Sequence, residues 1–109
     1  MSVAVITDGA AALPRELAAE AGVVVVPMWL TIGGTSYRED QVALEELVAR
    51  LDEGVTTSGP SPGDFREAIE ANLTPEGAVV LTVSRRVSGV HGTALLAAQP
   101  FGPAVRVIE

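Results

Sequence analysis

The run Val23-Val24-Val25-Val26 is the most informative segment of this chain for its fold. Four consecutive β-branched residues predict a strand, and the uninterrupted apolar run predicts that both of its faces are buried, as in a parallel sheet covered by helices on each side. Gly22 precedes the run and Pro27 follows it. Because glycine is common just after the last turn of a helix, we expect a helix to end directly before this strand.

Outward from the valines, strand patterns alternate with helix patterns. Pro14–Ala21 predicts the upstream helix, since proline suits a first turn and Leu13 and Leu17 are spaced to share a face. The other predictions are strands at Val3–Thr7, Ala78–Val83 and Val105–Ile108, helices at Val42–Leu51, Pro62–Leu73 and Ser88–Ala98, a polar loop at Thr56–Gly63, and a hairpin of Met28–Ile32 with Thr35–Tyr37. This order predicts an α/β fold, a doubly wound three-layer sandwich with a mainly parallel β-sheet and a β-hairpin extension.

The composition favours one domain and excludes several kinds of chemistry. The chain has 109 residues, of which 48% are hydrophobic, enough for one domain with its own core. All 7 basic residues are arginine, and there is no cysteine. The sequence therefore excludes disulfides, cysteine-based metal sites, thiol nucleophiles and Schiff-base lysines. The formal charge of -7 disfavours contact with phosphates, so we expect no nucleic acid partner.

No apolar run is long enough to cross a membrane. The longest, Val23–Ile32, contains Pro27 and is shorter than the roughly 20 residues that a spanning helix needs. Met1–Ile6 lacks the basic residues that open a signal peptide. We therefore expect a protein that does not span a membrane and is located in the cytoplasm.

Polar segments border the predicted strands where a ligand is expected. In an open parallel sheet, ligands bind beyond the carboxyl ends of the strands. Three segments rich in hydroxyl groups and small residues should converge there: Thr7-Asp8-Gly9, Thr56-Thr57-Ser58-Gly59-Pro60-Ser61, and Ser84-Arg85-Arg86-Val87-Ser88-Gly89.

Local structure explains part of the second segment. Ser61-Pro62-Gly63-Asp64 matches a helix start in which serine caps the helix, proline takes the first position and an acid the third. This interpretation accounts for Ser61 and Asp64 but not for Thr56-Thr57-Ser58. Those three hydroxyls are either ordinary loop polarity or a hydrogen-bonding cradle.

The third segment has two interpretations as well. Ser88 and Gly89 form either a helix cap with a close packing point, or an anion site in which Ser88 and the amides of the helix start bind a carboxylate or phosphate. Arg85 and Arg86 would raise the local potential, although such pairs are mostly solvated. His91 falls in the first turn, where we expect a surface or partner-contact group rather than a base.

Asp8 has three interpretations: a magnesium ligand, an acceptor for a ligand hydroxyl, or a turn former. Oxygen-bound cations usually recruit several carboxylates, so the turn is favoured unless Asp64 or Glu39 lies beside Asp8, and we expect no metal. A small enzyme that acts on a phosphorylated ligand through Asp8, Arg85 and His91 is a further hypothesis, but the sequence shows no pair of nucleophile and base.

Taken together, these segments resemble the amino-terminal half of the DegV family of bacterial fatty-acid-binding proteins. Thr7-Asp8-Gly9 resembles the family's T-D-S signature, and Thr56–Phe65 is similar to its T-T-S-Q-P-S-P-G-E-F stretch. Ser84–Ala94 resembles S-S-x-L-S-G-T-Y-x-S-A, and Val105–Glu109 resembles V-x-V-I-D. The matches run in order across essentially the whole chain.

The resemblance implies a carrier and not an enzyme. Members of the family hold one long-chain fatty acid by its carboxylate, and some deliver it to a separate ATP-dependent fatty acid kinase. By position, Thr57 and Ser88 match the head-group hydroxyls, and Ser58 and Gly89 beside them belong to the same carboxylate-binding set. The surrounding polar residues are Thr7, Asp8, Ser61, Ser84 and His91. No catalytic residue, cofactor or metal is implied.

The chain also departs from the family pattern. The departures are Gly9, Gly59, Arg85, Val90 and His91, which stand where the family has serine, glutamine, serine, threonine and tyrosine. The head-group network therefore differs in detail. Family members usually have a second domain that completes the lipid cavity, and residues 1–109 correspond to the first domain only. We expect this chain to bind fatty acid weakly, to form a homodimer, or to be completed by the missing second domain.

Apolar surface would be needed to cover the acyl tail of a bound fatty acid, or to form a contact with a second protein chain. Four residues are candidates for such an interface or for ordinary core packing: Met28, Trp29, Leu30 and Phe101. The alternative to a lipid carrier is a truncated interaction or regulatory module of the same fold, which homodimerises without lipid.

Overall fold

The computed structural model describes residues 2–9, 13–83 and 88–109. Within these ranges the strands are β1 (Ala4–Asp8), β2 (Val23–Val26), β3 (Trp29–Ile32), β4 (Thr35–Arg38), β5 (Val55–Ser58), β6 (Ala78–Leu81) and β7 (Val105–Ile108). The α-helices are α1 (Arg15–Ala21), α2 (Leu44–Ala49), α3 (Pro62–Asn72) and α4 (Val90–Ala98), and short 3-10 turns lie at Glu39–Gln41, Leu51–Glu53 and Gln99–Ala104.

The strands form two sheets of different kinds. β2, β1, β6 and β7 lie side by side in that order, and every neighbouring pair is parallel. β4, β3 and β5 form a smaller antiparallel sheet, whose hairpin turns at Gly33 and Gly34 with φ of 57° and 85°. Glycine adopts such positive φ values without steric cost. The predicted α/β fold, with its mainly parallel sheet and its β-hairpin, is confirmed.

One face of the parallel sheet carries the core. Ile6 of β1 and Val80 of β6 are adjacent in register and completely buried. α3 packs Phe65 and Ile69 against this face, and both are also 0% exposed. α4 adds Val90 and three alanines to the same cluster. The apolar packing therefore places the start of α4 over the sheet.

The opposite face of the same sheet is only partly covered. α1 packs next to β2 and buries Ala18, whereas Leu17 is 53% exposed. Within β2, Val26 is buried and the three preceding valines are half-buried. The prediction that β2 is buried on both faces is therefore wrong for its first three valines, because a helix of 7 residues covers only part of a sheet face.

The segment after the second helix is a strand. β5 pairs with β3, so that Leu30 lies opposite Thr57 and Trp29 lies opposite Ser58. Threonine is β-branched and fits an extended backbone when a partner strand is present. The prediction that Thr56–Gly63 is a loop throughout is wrong for residues 56–58, because pairing with β3 is a long-range contact that local composition does not reveal.

The helices agree with their predicted positions, with differences at their ends. α3 begins as predicted, since Oγ of Ser61 accepts the Asp64 N–H at 3.1 Å and the Ser61 N–H donates to Oδ2 of Asp64 at 2.9 Å. α4 begins at Val90, later than the predicted Ser88, and the helix predicted for Val42–Leu51 is the shorter α2 followed by a 3-10 turn. No helix in the described ranges is long and apolar enough to cross a membrane.

Candidate functional site

Thr57 and Ser58 lie at the end of β5, near the carboxyl end of the parallel strand β2. Ser58 pairs with Trp29, which follows β2 after a short connection. Side chains along a strand alternate between faces, so Thr57 lies on the face of Leu30 and Ser58 on the face of Trp29. Both residues are exposed. The structure thus separates two hydroxyl groups that are adjacent in sequence.

The start of α4 lies beside the end of β5. A Cβ atom on Gly59 would lie 3.8 Å from Cγ2 of Val90, the first residue of α4. Just before the helix, Oγ of Ser88 accepts the Val90 N–H at 3.2 Å. Val90 is buried, Ser88 is half-buried and Gly89 is exposed. The structure therefore brings the end of the Thr57 segment next to the Ser88 segment.

A second polar group lies where β1 and β6 end. Oγ1 of Thr7 donates to the carbonyl oxygen of Leu81 at 2.9 Å, and Oγ1 of Thr82 lies 2.9 Å from Nδ1 of His91. His91 is 8% exposed, so the expectation of a surface or partner-contact group is wrong. The first turn of α4 packs toward the sheet and buries the imidazole. Sequence reasoning misses Thr82, because the predicted strand runs on to Val83 and hides the true end of β6.

Of the remaining predicted site residues, the structure describes Asp8. Asp8 is the last residue of β1 and is 1% exposed. Among the residues that the structure describes, no three histidine, cysteine or acidic side chains are grouped to hold a metal ion. Ser84 lies outside the described residues, together with Arg85 and Arg86.

Asp64 has contacts that its predicted role as a helix cap does not require. Its Oδ2 accepts the indole Nε1–H of Trp29 at 2.9 Å, and its Oδ1 accepts Nη2–H of Arg38 at 2.9 Å. The Arg38 guanidinium also lies 4.5 Å from the centroid of the Trp29 ring, within the range of a cation–π interaction. Together with the capping residue Ser61, these residues form what we call the Asp64 cluster.

The Asp64 cluster keeps its carboxylate ionised. Burial raises the pKa of Asp64, but hydrogen bonds from Trp29, Ser61 and Arg38 outweigh that effect and lower the pKa from 3.8 to about 2. At neutral pH the carboxylate is therefore charged and fully engaged with its donors. The sequence shows the capping pattern of Asp64, but no local signal shows that Trp29 and Arg38 reach it.

Apolar surface lies close to the polar side chains at the ends of β1 and β6. A cavity of about 280 Å³ opens beside Thr7 and Thr82 on the partly covered face of the sheet. It is lined by Val5, Thr7, Leu13, Val23, Leu81, Thr82 and Val83. Among the apolar residues considered for an interface, Leu30 is 7% exposed and Phe101 packs against the core, which is ordinary packing. Met28 and Trp29 are half-buried.

Comparisons of the sequence identify related proteins along the entire chain. The family described as "Uncharacterised protein, DegV family" matches residues 2–109. A DegV domain-containing protein of Deinococcus radiodurans is 36% identical over 114 residues, and one of Streptomyces coelicolor is 32% identical over 112 residues. These alignments cover 100% and 98% of this chain but 41% and 40% of the relatives, so the chain spans about two fifths of their length.

Solved structures of two further bacterial proteins have the same fold. A DegV family protein from Thermus thermophilus, described as showing fatty acid binding, aligns with a TM-score of 0.85 and 33% identity over 100% of this chain and 41% of its own. A DegV family protein from Ruminococcus gnavus, described with vaccenic acid, aligns with a TM-score of 0.80 and 26% identity over the same shares of 100% and 41%. The resemblance inferred from the sequence motifs is thereby confirmed, and this chain belongs to the DegV family.

Proposed function

We propose that this chain binds a long-chain fatty acid and holds its carboxylate between the end of β5 and the start of α4. The observation that carries the proposal is the approach of Gly59 to Val90, which brings residues 57–58 toward residues 88–89. The similar proteins from Thermus thermophilus and Ruminococcus gnavus, described with fatty acid binding and with vaccenic acid, support the same class of ligand.

In this proposal, Thr57 and Ser88 supply the hydroxyl groups that bind the carboxylate. A carboxylate withdrawn from water requires several charge-assisted donors. Because Oγ of Ser88 accepts the Val90 N–H, the Ser88 hydroxyl keeps its own hydrogen for donation. Gly89 lies at the amino end of α4, where backbone amides and the helix dipole favour an anion.

In this proposal, the surrounding residues hold the elements of the site in place and do not bind the carboxylate themselves. His91 is hydrogen-bonded to Thr82 and fixes the first turn of α4, and Ser61 is engaged with Asp64. Ser58 belongs to the proposed carboxylate-binding set rather than to these residues, although its side chain lies on the face of its sheet opposite to Thr57. The other members of the proposed surrounding set are Thr7, Asp8 and Ser84.

The acyl tail requires apolar cover, since each methylene withdrawn from water contributes about 0.8 kcal/mol. The relative from Deinococcus radiodurans extends well beyond the 41% that this chain matches. We propose that a second domain, or a second copy of this chain, completes the cavity. The protein would then act as a carrier without catalysis of its own, and a separate fatty acid kinase would receive the acid.

The first prediction tests the binding directly. Native mass spectrometry and titration with palmitate and oleate should show one long-chain acid per completed site. Thr57→Ala and Ser88→Ala should each weaken binding by about 1–3 kcal/mol, because the carboxylate loses a donor.

Thr35→Ala is the matched control for this experiment. Thr35 is an exposed threonine of the same antiparallel sheet, paired with Ile32 at the end away from Trp29. Its replacement should leave the affinity unchanged. If neither the monomer nor an assembled form of the wild-type chain binds palmitate or oleate, the proposed function is wrong.

A lipid-free interaction module of the same fold is the alternative, and one surface favours it. Leu44 and Val48 of α2 are 72% and 58% exposed. Exposed apolar side chains that form a contiguous patch are typical of protein contact surfaces. A chain that dimerises while carrying no acyl chain in native mass spectrometry would support this alternative instead.

A further inference from the structure

The Asp64 cluster connects α3 to the antiparallel sheet. A capping box needs only the two contacts between Ser61 and Asp64. Trp29 and Arg38 come from a different part of the fold: they are the first residue of β3 and the last residue of β4. The carboxylate of Asp64 therefore accepts hydrogen bonds from both strands as well as from its own helix start.

These contacts lie beside the segment that carries the proposed head-group hydroxyls. Trp29 pairs with Arg38 on one side and with Ser58 on the other, so all three lie at the same end of the sheet. Gly59, the next residue after Ser58, approaches Val90 at the start of α4. A continuous series of contacts thus runs from Asp64 through Trp29 and the end of β5 to α4.

The geometry of the cluster restricts the orientation of the sheet. The indole of Trp29 is bound at its Nε1 by Asp64 and is covered on its ring face by the Arg38 guanidinium. The side chains of Arg38 and Asp64 are 31% and 11% exposed. By contrast, the Arg66–Glu70 pair on the same helix is 58% and 55% exposed. Shielded charge-assisted bonds are the stronger kind, whereas exposed pairs contribute little.

We propose that Asp64 is a positioning residue for fatty acid binding: its carboxylate holds Trp29 and Arg38 so that the end of β5 presents Thr57 to the start of α4. The inference rests on the function proposed above. Asp64 acts through the antiparallel sheet, and its hydrogen bonds to Trp29 and Arg38 are the means by which α3 orients that sheet.

The test separates positioning from capping by changing the partners of Asp64. Arg38→Gln removes the guanidinium and leaves both Ser61 contacts in place, so it weakens positioning and not the cap. Asp64→Asn weakens both. Arg66→Gln is the matched control, because it removes an exposed ion pair that lies within the same helix, between residues four positions apart. All variants are made in the full chain.

Palmitate affinity is the main measurement, and hydrogen exchange locates the change. Arg38→Gln and Asp64→Asn should each weaken palmitate binding about tenfold, since a shielded charge-assisted bond is lost. The double variant should be no weaker than Asp64→Asn, because the two residues act through one contact. Arg38→Lys should recover most of the affinity. Backbone amides of β3 and β5 should exchange faster in Arg38→Gln, while those of α3 remain as in wild type.

The outcomes discriminate between this inference and the function on which it rests. If the wild-type chain binds palmitate and Arg38→Gln binds equally well, the contact between Arg38 and Asp64 does not position the site and the inference is overturned. The same holds if Arg66→Gln weakens binding as much as Arg38→Gln. If the wild-type chain binds no palmitate at all, the proposed function itself fails, and the positioning role fails with it.

Discussion

The two sheets of this protein are attached to the same helix by different forces. The parallel sheet packs Ile6 and Val80 against Phe65 of α3, and all three side chains are completely buried. The antiparallel sheet meets α3 through the hydrogen bonds and the ion pair of Asp64. Asp64 and Phe65 are consecutive, and about 100° of helix rotation directs them to different surroundings.

The two kinds of attachment contribute differently to stability and to the geometry of the site. Apolar packing responds weakly to pH and salt, whereas a charge-based contact depends on the ionisation of its members. Regions held by few apolar contacts open more easily than the core. The packing of the parallel sheet against α3 therefore depends little on pH, and we expect the Asp64 cluster to set how the antiparallel sheet lies against α3.

The largest expected effect comes from removing the apolar attachment. Phe65→Ala should lower the free energy of unfolding by about 3–5 kcal/mol, because it deletes a fully buried aromatic ring and leaves a cavity. Urea unfolding followed by circular dichroism measures the change. A loss below about 1 kcal/mol would show that the buried ring of Phe65 does not hold the parallel sheet against α3.

A smaller effect should distinguish the two faces of the parallel sheet. Val80 is completely buried against the helices, whereas its neighbour Val79 lies on the partly covered face and is half-buried. Val80→Ala should lower the free energy of unfolding by about 2 kcal/mol, and Val79→Ala should lower it by about half of that or less. The loss increases with the apolar area that was buried and with the volume of the cavity that is left. Equal losses in urea unfolding would show that the second face is as well covered as the first.

A third expected effect is a dependence on pH that belongs to the antiparallel attachment. The pKa of Asp64 is about 2 in the folded chain against 3.8 for an ordinary aspartate. A carboxyl group whose pKa is lowered by folding stabilises the folded state at pH values above its pKa in the unfolded chain. That contribution is lost as the pH falls through its pKa in the folded chain. The contribution of Asp64 should therefore be complete above about pH 4 and decline toward about pH 2.

Comparison with Asp64→Asn isolates this effect from other carboxylates. The difference in unfolding free energy between wild type and Asp64→Asn should shrink as the pH falls through that window. Trp29 is the single tryptophan, so its fluorescence reports on the cluster itself. A difference that stays constant down to about pH 2 would show that the carboxylate is not held by its donors.

Much of the fold could be predicted, because its signals are local. The four valines of β2, the glycines of the hairpin turn and the cap of α3 each determine the backbone within a few residues. The strand β5 could not be predicted in the same way. Its threonines are compatible with loop or strand, and the choice depends on β3, which is distant in the chain.

The segments that form the candidate site could be predicted from the sequence, but the contacts between their side chains could not. The order of strands and helices places Thr57 and Ser88 at one end of the fold, and Gly59 and Val90 meet there. The bond between Thr82 and His91 was not predictable, because the end of β6 and the burial of the first turn of α4 are set by packing. Ser84 lies outside the described residues, so its role stays a prediction.

The α/β class, the main elements, the capping box at Ser61 and the family follow from the sequence alone, because local backbone preferences and ordered motifs carry that information. The tertiary structure was needed to show which face of the parallel sheet is covered and that Thr57 and Ser58 lie on opposite faces of a strand. It also decided that Trp29 and Arg38 meet at Asp64. These features depend on contacts between distant residues, whose energies arise only when the whole chain is packed.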